Sequence, residues 1–363
     1  MHYRELPTPA LIIDLDVAKR NLDRMAGYCR SHHLNLRPHT KTHKMVEFAR
    51  MQLERGAIGL AVAKTGEAEI MAQSGAMQIL VAHPIFGEEP LQRLARLACD
   101  AEMIIAIDSH TAAAAISRAA SRHGCTFGIL VEFDAGFRRC GVTPAAACVE
   151  LAQAIARLPG LRLRGLMSYF GNVWGTEEER RLQIAEIASA VEQAVDSFRA
   201  ARLPLEIVSA GSTPAAEFSH RIPGLTEIRP GTYVFNDLNT LHQGICRVED
   251  CAARVLTTVV STAIPGQAII DAGSKTFSHD ALSSGPQRGY GYIVEEPAVS
   301  LTKLNEEHGY LDISRSRRFQ VGEVFTIIPN HICTCVNMHD EVFVIRDEQV
   351  IGSYKVAARG KVR

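Results

Sequence analysis

The sequence predicts an α/β protein: a (β/α)8 barrel of the TIM type over residues 10–240, then an all-β domain over residues 241–363 with residues 1–9 beside it. Two observations carry this. Up to about residue 240, short apolar β-rich runs alternate with longer stretches of helical spacing, the mark of a parallel sheet covered by helices. Beyond that point the helical stretches stop, and short strands follow one another between Gly, Pro, Asn and Asp.

The runs read as strands are ALIIDLD, AIGLAVA, QILVAHP, EMIIAID, FGILVEFD, LRGLMSYF and LEIVSAG. Between them lie VAKRNLDRMAGYCRSH, TGEAEIMAQSG, PLQRLARLACD and EEERRLQIAEIASAVEQAVDSFRAA, whose apolar residues recur at helical spacing. About eight such units fit before residue 240, which suits a closed barrel better than an open sheet. RVLTTVVSTA, QAIIDAG, EVFTIIPNHICTCVNM, DEVFVIRD and QVIGSYKV supply the strands of the second domain.

Composition removes several function classes. A net charge of -1 over 363 residues gives no electrostatic footprint for nucleic acid or an acidic surface. Mean hydropathy is +0.01, and no apolar run approaches the roughly 20 residues of a membrane span. The opening MHYRELPTPALIIDLD lacks the apolar core and small-residue cleavage site of a signal peptide, so the nine cysteines are expected as reduced thiols in a cytoplasm.

One octamer is unusual. RPHTKTHK, residues 37–44, packs one Arg, two His and two Lys together at the end of the short run LNLRPH. In a barrel that end faces the active site. Lys41 would be partly desolvated and flanked by Arg37, Lys44 and any protonated His39 or His43. Both influences lower an amine's pKa, as a nucleophilic or Schiff-base lysine requires. A solvated basic loop fits the same residues. Farther on, PNHICTCVNM places His331 and Cys333 two apart, so that on a strand both reach one ion. Cys335 shares that face, as a third ligand or a core residue. Gly211, Ser212 and Thr213 follow LEIVSA at a strand end and form a reasonable phosphate nest.

With these motifs the sequence resembles pyridoxal-phosphate enzymes of the alanine-racemase fold (fold type III), and within it the D-threonine aldolase and D-serine dehydratase branch. The carrying motifs run in order through the chain: TPALIIDLD, RPHTKTHK, TGEAE at 65–69, DAGFRRCG at 134–141, GSTP at 211–214, EIRPGTYVFND at 227–237, DAGSK at 271–275, NEEHG at 305–309 and PNHIC at 329–333. The resemblance implies that Lys41 bonds the cofactor as an aldimine and that Arg139, rather than Arg138, contacts its phenolic oxygen. It also implies that Tyr169 packs beside the cofactor, and that the phosphate is held at 211–213 with the backbone of Gly231 and Thr232. His331 and Cys333 would hold a divalent metal, Zn²⁺ or Mn²⁺, with open positions for the substrate's hydroxyl. His39, His43 and His308 stand as a further base or as orienting partners.

The implied activity is that of a lyase on β-hydroxy D-amino acids of the D-serine or D-threonine type, dehydrating them to a 2-oxo acid and ammonia. Retro-aldol cleavage to glycine and an aldehyde is the alternative. A metal-independent racemase and a non-enzymatic cofactor-carrying homeostasis protein are the remaining readings. The resembled fold implies a homodimer with the active site at its interface, and no membrane or nucleic-acid partner.

Overall fold

The computed structural model describes residues 1–282, 289–315 and 319–363. The chain divides into two compact units: Met1–Leu22, Thr42–Met45 and Thr232–Arg359 form one, and Asp23–Lys41, Val46–Gly231 and Gly360–Arg363 the other. The first strand, β1 (Ala10–Asp14), is taken with the β unit below.

The second of these units is the barrel. Its eight parallel strands are β2 (Asn35–Leu36), β3 (Leu60–Val62), β4 (Gln78–Val81), β5 (Glu102–Ile107), β6 (Phe127–Glu132), β7 (Leu161–Met167), β8 (Ile207–Ala210) and β9 (Glu227–Ile228), in the order 2-9-8-7-6-5-4-3. The ring closes because the chain stays extended beyond β2: Ala61 N donates to Pro38 O at 2.9 Å, and Thr40 N donates to Ala61 O at 2.8 Å. Helices Val46–Glu54, Thr65–Ala72, Glu88–Leu97, His110–His123, Ala145–Ile155 and Glu177–Ala200 connect the strands. Local chemistry sets their ends. Ser109 caps the fourth of these, and Thr176 and Glu179 cap each other at the start of the last. Ala61, Leu80, Ile104, Ala106, Leu130, Met167 and Ile207 form one apolar cluster drawn from six strands.

The β unit holds a nine-stranded sheet: β10 (Ala253–Ser261), β11 (Gln267–Ile270), β12 (Gly291–Ile293), β13 (Ser300–Leu304), β14 (Gly309–Asp312), β15 (Val324–Pro329), β16 (Glu341–Arg346), β17 (Gln349–Lys355) and β1, in the order 11-14-13-12-15-10-1-16-17. β11 also pairs with β10, closing six of the strands on themselves. The run ALIIDLD, counted with the barrel from its sequence, therefore stands elsewhere: β1 lies between β10, antiparallel, and β16, parallel. It is as buried and apolar as a barrel strand, so its partners decide its place. Short helices Leu238–His242, Ser274–Phe277 and Ile332–Val336 accompany the sheet in this unit. Among the described residues no helix is long and apolar enough to cross a membrane.

Two of the shared motifs are explained by packing. Gly273 of DAGSK lies so close to NEEHG that a Cβ there would meet Asn305 O and Glu306 O, each at 2.4 Å. Ser274 N and Lys275 N donate to those same carbonyls. Asp271, of the same motif, accepts hydrogen bonds from the hydroxyls of Thr257 at 2.7 Å and Thr8 at 2.5 Å. His308 sits exposed in the β13–β14 connection that this docking builds.

Candidate functional site

The extended chain past β2 carries His39 opposite Ala61 on β3 and ends at Lys41, in a turn at the C-terminal end of the barrel strands. The Lys41 ammonium lies 5.8 Å from the centre of the Tyr169 ring. Tyr169 follows β7, and the Arg139 guanidinium packs over its ring at 4.5 Å and over Phe137 at 5.2 Å. Phe137 meets Tyr169 edge-on, with centroids 5.2 Å apart. Both cations are thus held against one aromatic ring within the range where its quadrupole attracts them. Arg138 takes the left-handed conformation (φ 57°), and its backbone N–H binds the Asp134 carboxylate at 3.0 Å. The turn thus separates two neighbouring arginines and sends Arg139 to Tyr169.

Arg37 does not flank Lys41 as a loose cation. It is fully buried and forked onto Glu227, with Nε to Oε1 at 2.8 Å and Nη2 to Oε2 at 3.0 Å. Glu227 Oε1 also accepts the Ser209 hydroxyl at 2.5 Å, and Arg229 donates to Ser209 Oγ at 2.5 Å and to Ser168 O at 2.7 Å. Burial pushes the Arg229 pKa down to about 10. Glu132, at the end of β6, is buried with Oε2 unpartnered; burial raises its pKa against the pull of Arg229 and Arg139. Arg229, Ser209 and Glu132 were not singled out from the sequence. The signal for Arg229 was its place in EIRPGTYVFND. Lys44, also read as a flanking cation, is buried within the β unit with Nζ 3.5 Å from Ala358 O.

The loop after β8 turns at Gly211, whose φ of 109° favours glycine. Ser212 Oγ donates to Phe170 O at 3.1 Å and accepts Ala215 N at 3.4 Å, so its hydroxyl serves the turn itself. Thr213 is buried beside it. Gly231 ends the long barrel segment that begins at Val46. Thr232 opens the next segment of the β unit, and its hydroxyl lies 3.7 Å from Cys333 Sγ.

His331 and Cys333 do not share a strand. β15 ends at Pro329, His331 is the last extended residue, and Ile332 begins a short helix. The buried Asp237 carboxylate enforces this turn by accepting Ile332 N at 3.1 Å. The two side chains still meet, in hydrogen-bond contact across the helix start. Thr42 Oγ1 lies 3.2 Å from Cys333 Sγ. His331 Nδ1 lies 3.1 Å from Asp280 Oδ2, which also accepts the Thr334 hydroxyl at 2.7 Å. Burial opposes the charged form of His331, but Cys333, Asp237 and Asp280 outweigh it and raise its pKa to about 9. A histidine whose Nδ1 is bound to a carboxylate presents Nε2 outward, the arrangement of a metal-ligating imidazole. A thiol beside it completes a soft two-donor set that fits a divalent ion such as Zn²⁺. Among the described residues no group of three His, Cys, Asp or Glu comes together as a ligand set. Cys335 is fully buried and donates to Thr276 O at 3.3 Å, turned into the core. His39 Nδ1 accepts Lys41 N at 3.3 Å and His43 Nδ1 accepts Met45 N at 3.0 Å, so each neutral ring carries its proton on Nε2.

Comparison with known proteins places these features in a family. Residues 13–238 match the family model described as alanine racemase, N-terminal domain, and residues 252–345 match a putative serine dehydratase domain. The chain is 37% identical over 350 residues to a D-threo-3-hydroxyaspartate dehydratase of Delftia sp., covering 90% of this chain and 91% of that protein. It is 32% identical over 372 residues to a 3-hydroxy-D-aspartate aldolase of Paracoccus denitrificans, covering 99% and 94%. Among solved structures it is similar to D-threonine aldolase from Filomicrobium marinum, with a TM-score of 0.93, 32% identity and coverage of 99% and 98%.

Proposed function

The chain belongs to the alanine racemase N-terminal domain family and is an enzyme of its lyase branch; from that premise we propose that it is a pyridoxal-phosphate and divalent-metal-dependent lyase of β-hydroxy D-amino acids. The observation that carries this is Lys41 at a barrel strand end, facing the aromatic ring on which Arg139 is stacked. When bound, pyridoxal phosphate supplies a sink for the electrons of a bond broken at the substrate's Cα, and the metal a Lewis acid for its hydroxyl.

The chain's own residues divide the remaining work. Lys41 holds the cofactor and moves the proton at Cα. Arg139 keeps the cofactor's phenolic oxygen anionic, and Tyr169 backs both cations. Gly211, Ser212, Thr213, Gly231 and Thr232 line the phosphate, chiefly by backbone N–H groups, since the Ser212 hydroxyl is engaged within its turn. His331 and Cys333 hold the metal, with Asp280 fixing the imidazole. His39 and His43 orient the Lys41 turn through backbone contacts. The working form is a homodimer, checked by light scattering.

Dehydration to a 2-oxo acid and ammonia is the first reading, because a thiolate donor favours a zinc-like Lewis acid on the leaving oxygen. Retro-aldol cleavage is the second, favoured by the relatives named as aldolases. Product analysis separates them. D-Serine and D-threonine give pyruvate or 2-oxobutyrate with ammonia if the enzyme dehydrates, whereas D-threonine gives glycine and acetaldehyde if it cleaves. Turnover that survives complete metal removal, or yields only the opposite enantiomer, overturns the proposal in favour of a racemase.

A further inference from the structure

Two cysteines of the β unit meet each other, and the lyase roles leave both unused. Beyond the short helix Leu238–His242, residues 246–251 read CRVEDC. Asp250 folds this stretch back. Its carboxylate accepts Arg247 N at 3.0 Å, its own N–H donates to Arg247 O at 3.0 Å, and Cys251 N donates to Val248 O at 3.1 Å. The six residues make one tight turn that returns Cys251 to Cys246. Both side chains join an apolar cluster with Leu238 and Ile328, and the Cys251 thiol hydrogen-bonds to the Cys246 sulfur.

The backbone is pinned on both sides of the pair. Ile245 N donates to Thr240 O at 3.1 Å, and Ala252 N to Phe235 O at 2.8 Å. The Asp250 carbonyl accepts the side-chain amides of Asn21 at 2.8 Å and Asn236 at 3.1 Å. The fold therefore holds the two sulfurs together, which speeds any reaction between them.

The two thiols are unequal. Cys251 is fully buried, whereas Cys246 is 8% exposed and is the one a small solute can reach. The bond from Cys251 holds the Cys246 thiol below its ordinary pKa against the cost of burial, with the Thr240 hydroxyl 3.4 Å from Sγ adding to the effect. The same bond, together with burial, pushes the Cys251 thiol far up. In Cys29, Cys148 and Cys335 burial prevails and the thiol is held protonated. Thiolate character at one sulfur with a second thiol in contact makes a pair sensitive to oxidation.

We propose that Cys246 and Cys251 are a peroxide-reactive dithiol that closes reversibly to a disulfide. The Cys246 thiolate attacks one oxygen of hydrogen peroxide. The S–O bond forms, the O–O bond breaks, and the departing hydroxide takes up a proton to leave as water. The Cys251 sulfur then attacks the sulfenic sulfur. The S–S bond forms, and the displaced hydroxyl leaves with the Cys251 proton as a second water. Two thiols lose two electrons in all, and one peroxide is reduced to two waters. The small exposure of Cys246 admits this oxidant and excludes a bulky one such as glutathione disulfide.

The test is peptide mapping of the holoenzyme after titration with hydrogen peroxide and alkylation of the remaining thiols. Trypsin cleaves after Arg247 and Arg254, so the two cysteines fall in separate peptides unless the disulfide joins them. The joined pair should form at least about tenfold faster than Cys29 or Cys148 is oxidised, and dithiothreitol should undo it. In Cys251→Ser, dimedone should trap a sulfenic acid on Cys246; in Cys246→Ser, Cys251 should stay reduced. Cys333 is half-buried and open to the same oxidant, so turnover is not the readout. No joined peptide at a dose that oxidises Cys333 or the exposed Cys99, or a first sulfenic acid on Cys251, overturns the proposal. So does passage of Cys246 to a sulfinic acid with Cys251 still reduced. Where a variant fails to fold, the wild-type map decides alone: the joined peptide supports the dithiol and its absence refutes it.

Discussion

At the barrel's strand ends Lys41 and Arg139 lie against Tyr169, and Lys64 lies against His83. Around the turn at His331 and Cys333 the acidic groups are carboxylates, the buried Asp237 and the exposed Asp280. Each unit taken by itself is built for a ligand of opposite sign. Phosphate and carboxylate groups suit the first, and a metal cation the second. The means of support differ too. The barrel end rests on cations packed over aromatic rings and on a lysine–imidazole hydrogen bond. The turn is tied by short hydrogen bonds from a backbone N–H and a threonine hydroxyl to two carboxylates. Position at the barrel end should therefore depend on single side chains, and position at the turn on a small network.

The largest effect falls on Lys41. Lys41→Ala should lower kcat by at least about 10³- to 10⁴-fold, the scale of losing a positioned proton-transfer group. Borohydride reduction of the wild type should fix a pyridoxyl group on Lys41, found by peptide mapping. A label on Lys44 or Lys64, or near-normal activity in the variant, would remove the barrel end from the chemistry.

Metal removal comes next and addresses the other region. Chelation with EDTA, or Cys333→Ala, should cost about 10³-fold in turnover, the several kcal/mol that a Lewis acid contributes. The absorbance of the bound cofactor should stay unchanged, because its anchors lie on other residues. Zn²⁺ or Mn²⁺ should restore the chelated wild type. Full activity in EDTA would leave the turn as mere architecture.

How much of this the sequence disclosed depends on the range of the interactions. Alternation of apolar strands with amphipathic helices is local, so the barrel and the later all-β texture could be read directly. β1 could not be placed, because its apolar run is compatible with either sheet and its partners lie about 240 and 330 residues away. Arg37 read as part of a basic loop because its neutralising partner, Glu227, is 190 residues distant. PNHICTCVNM has the β-branched content of a strand, yet the Asp237 carboxylate, far away in sequence, turns it into a helix start. Asp280 had no local signature at all. Its role emerges only from the fold that brings it to His331.

Asp280→Asn probes that network with a smaller effect. Removing the charge while keeping the shape should weaken metal affinity about 10- to 100-fold, as is usual for a carboxylate behind a ligating histidine. Competition against a chelating indicator dye measures this without relying on turnover. Affinity within about twofold of wild type would mean that Asp280 only pins its loop through Thr334.

The smallest effect distinguishes two cysteines that the sequence left on equal footing. Cys335 lies two residues beyond Cys333, but it is fully buried, its thiol donates to Thr276 O, and burial pushes its pKa far up. A thiol held protonated in the core is a poor metal ligand, since only the thiolate binds well. Cys335→Ala should therefore leave metal affinity and kcat within about twofold of wild type. It should lower unfolding free energy by about 1 kcal/mol, for one lost weak hydrogen bond and a small cavity. Cys333→Ala should show the converse: lost metal binding with little change in melting temperature of the metal-free protein. If Cys335→Ala instead released the metal, the turn would have to rearrange to bring in a third donor. The contrast between a network-held metal turn and a ring-backed barrel end would then need redrawing around a site that forms only when the ion is present.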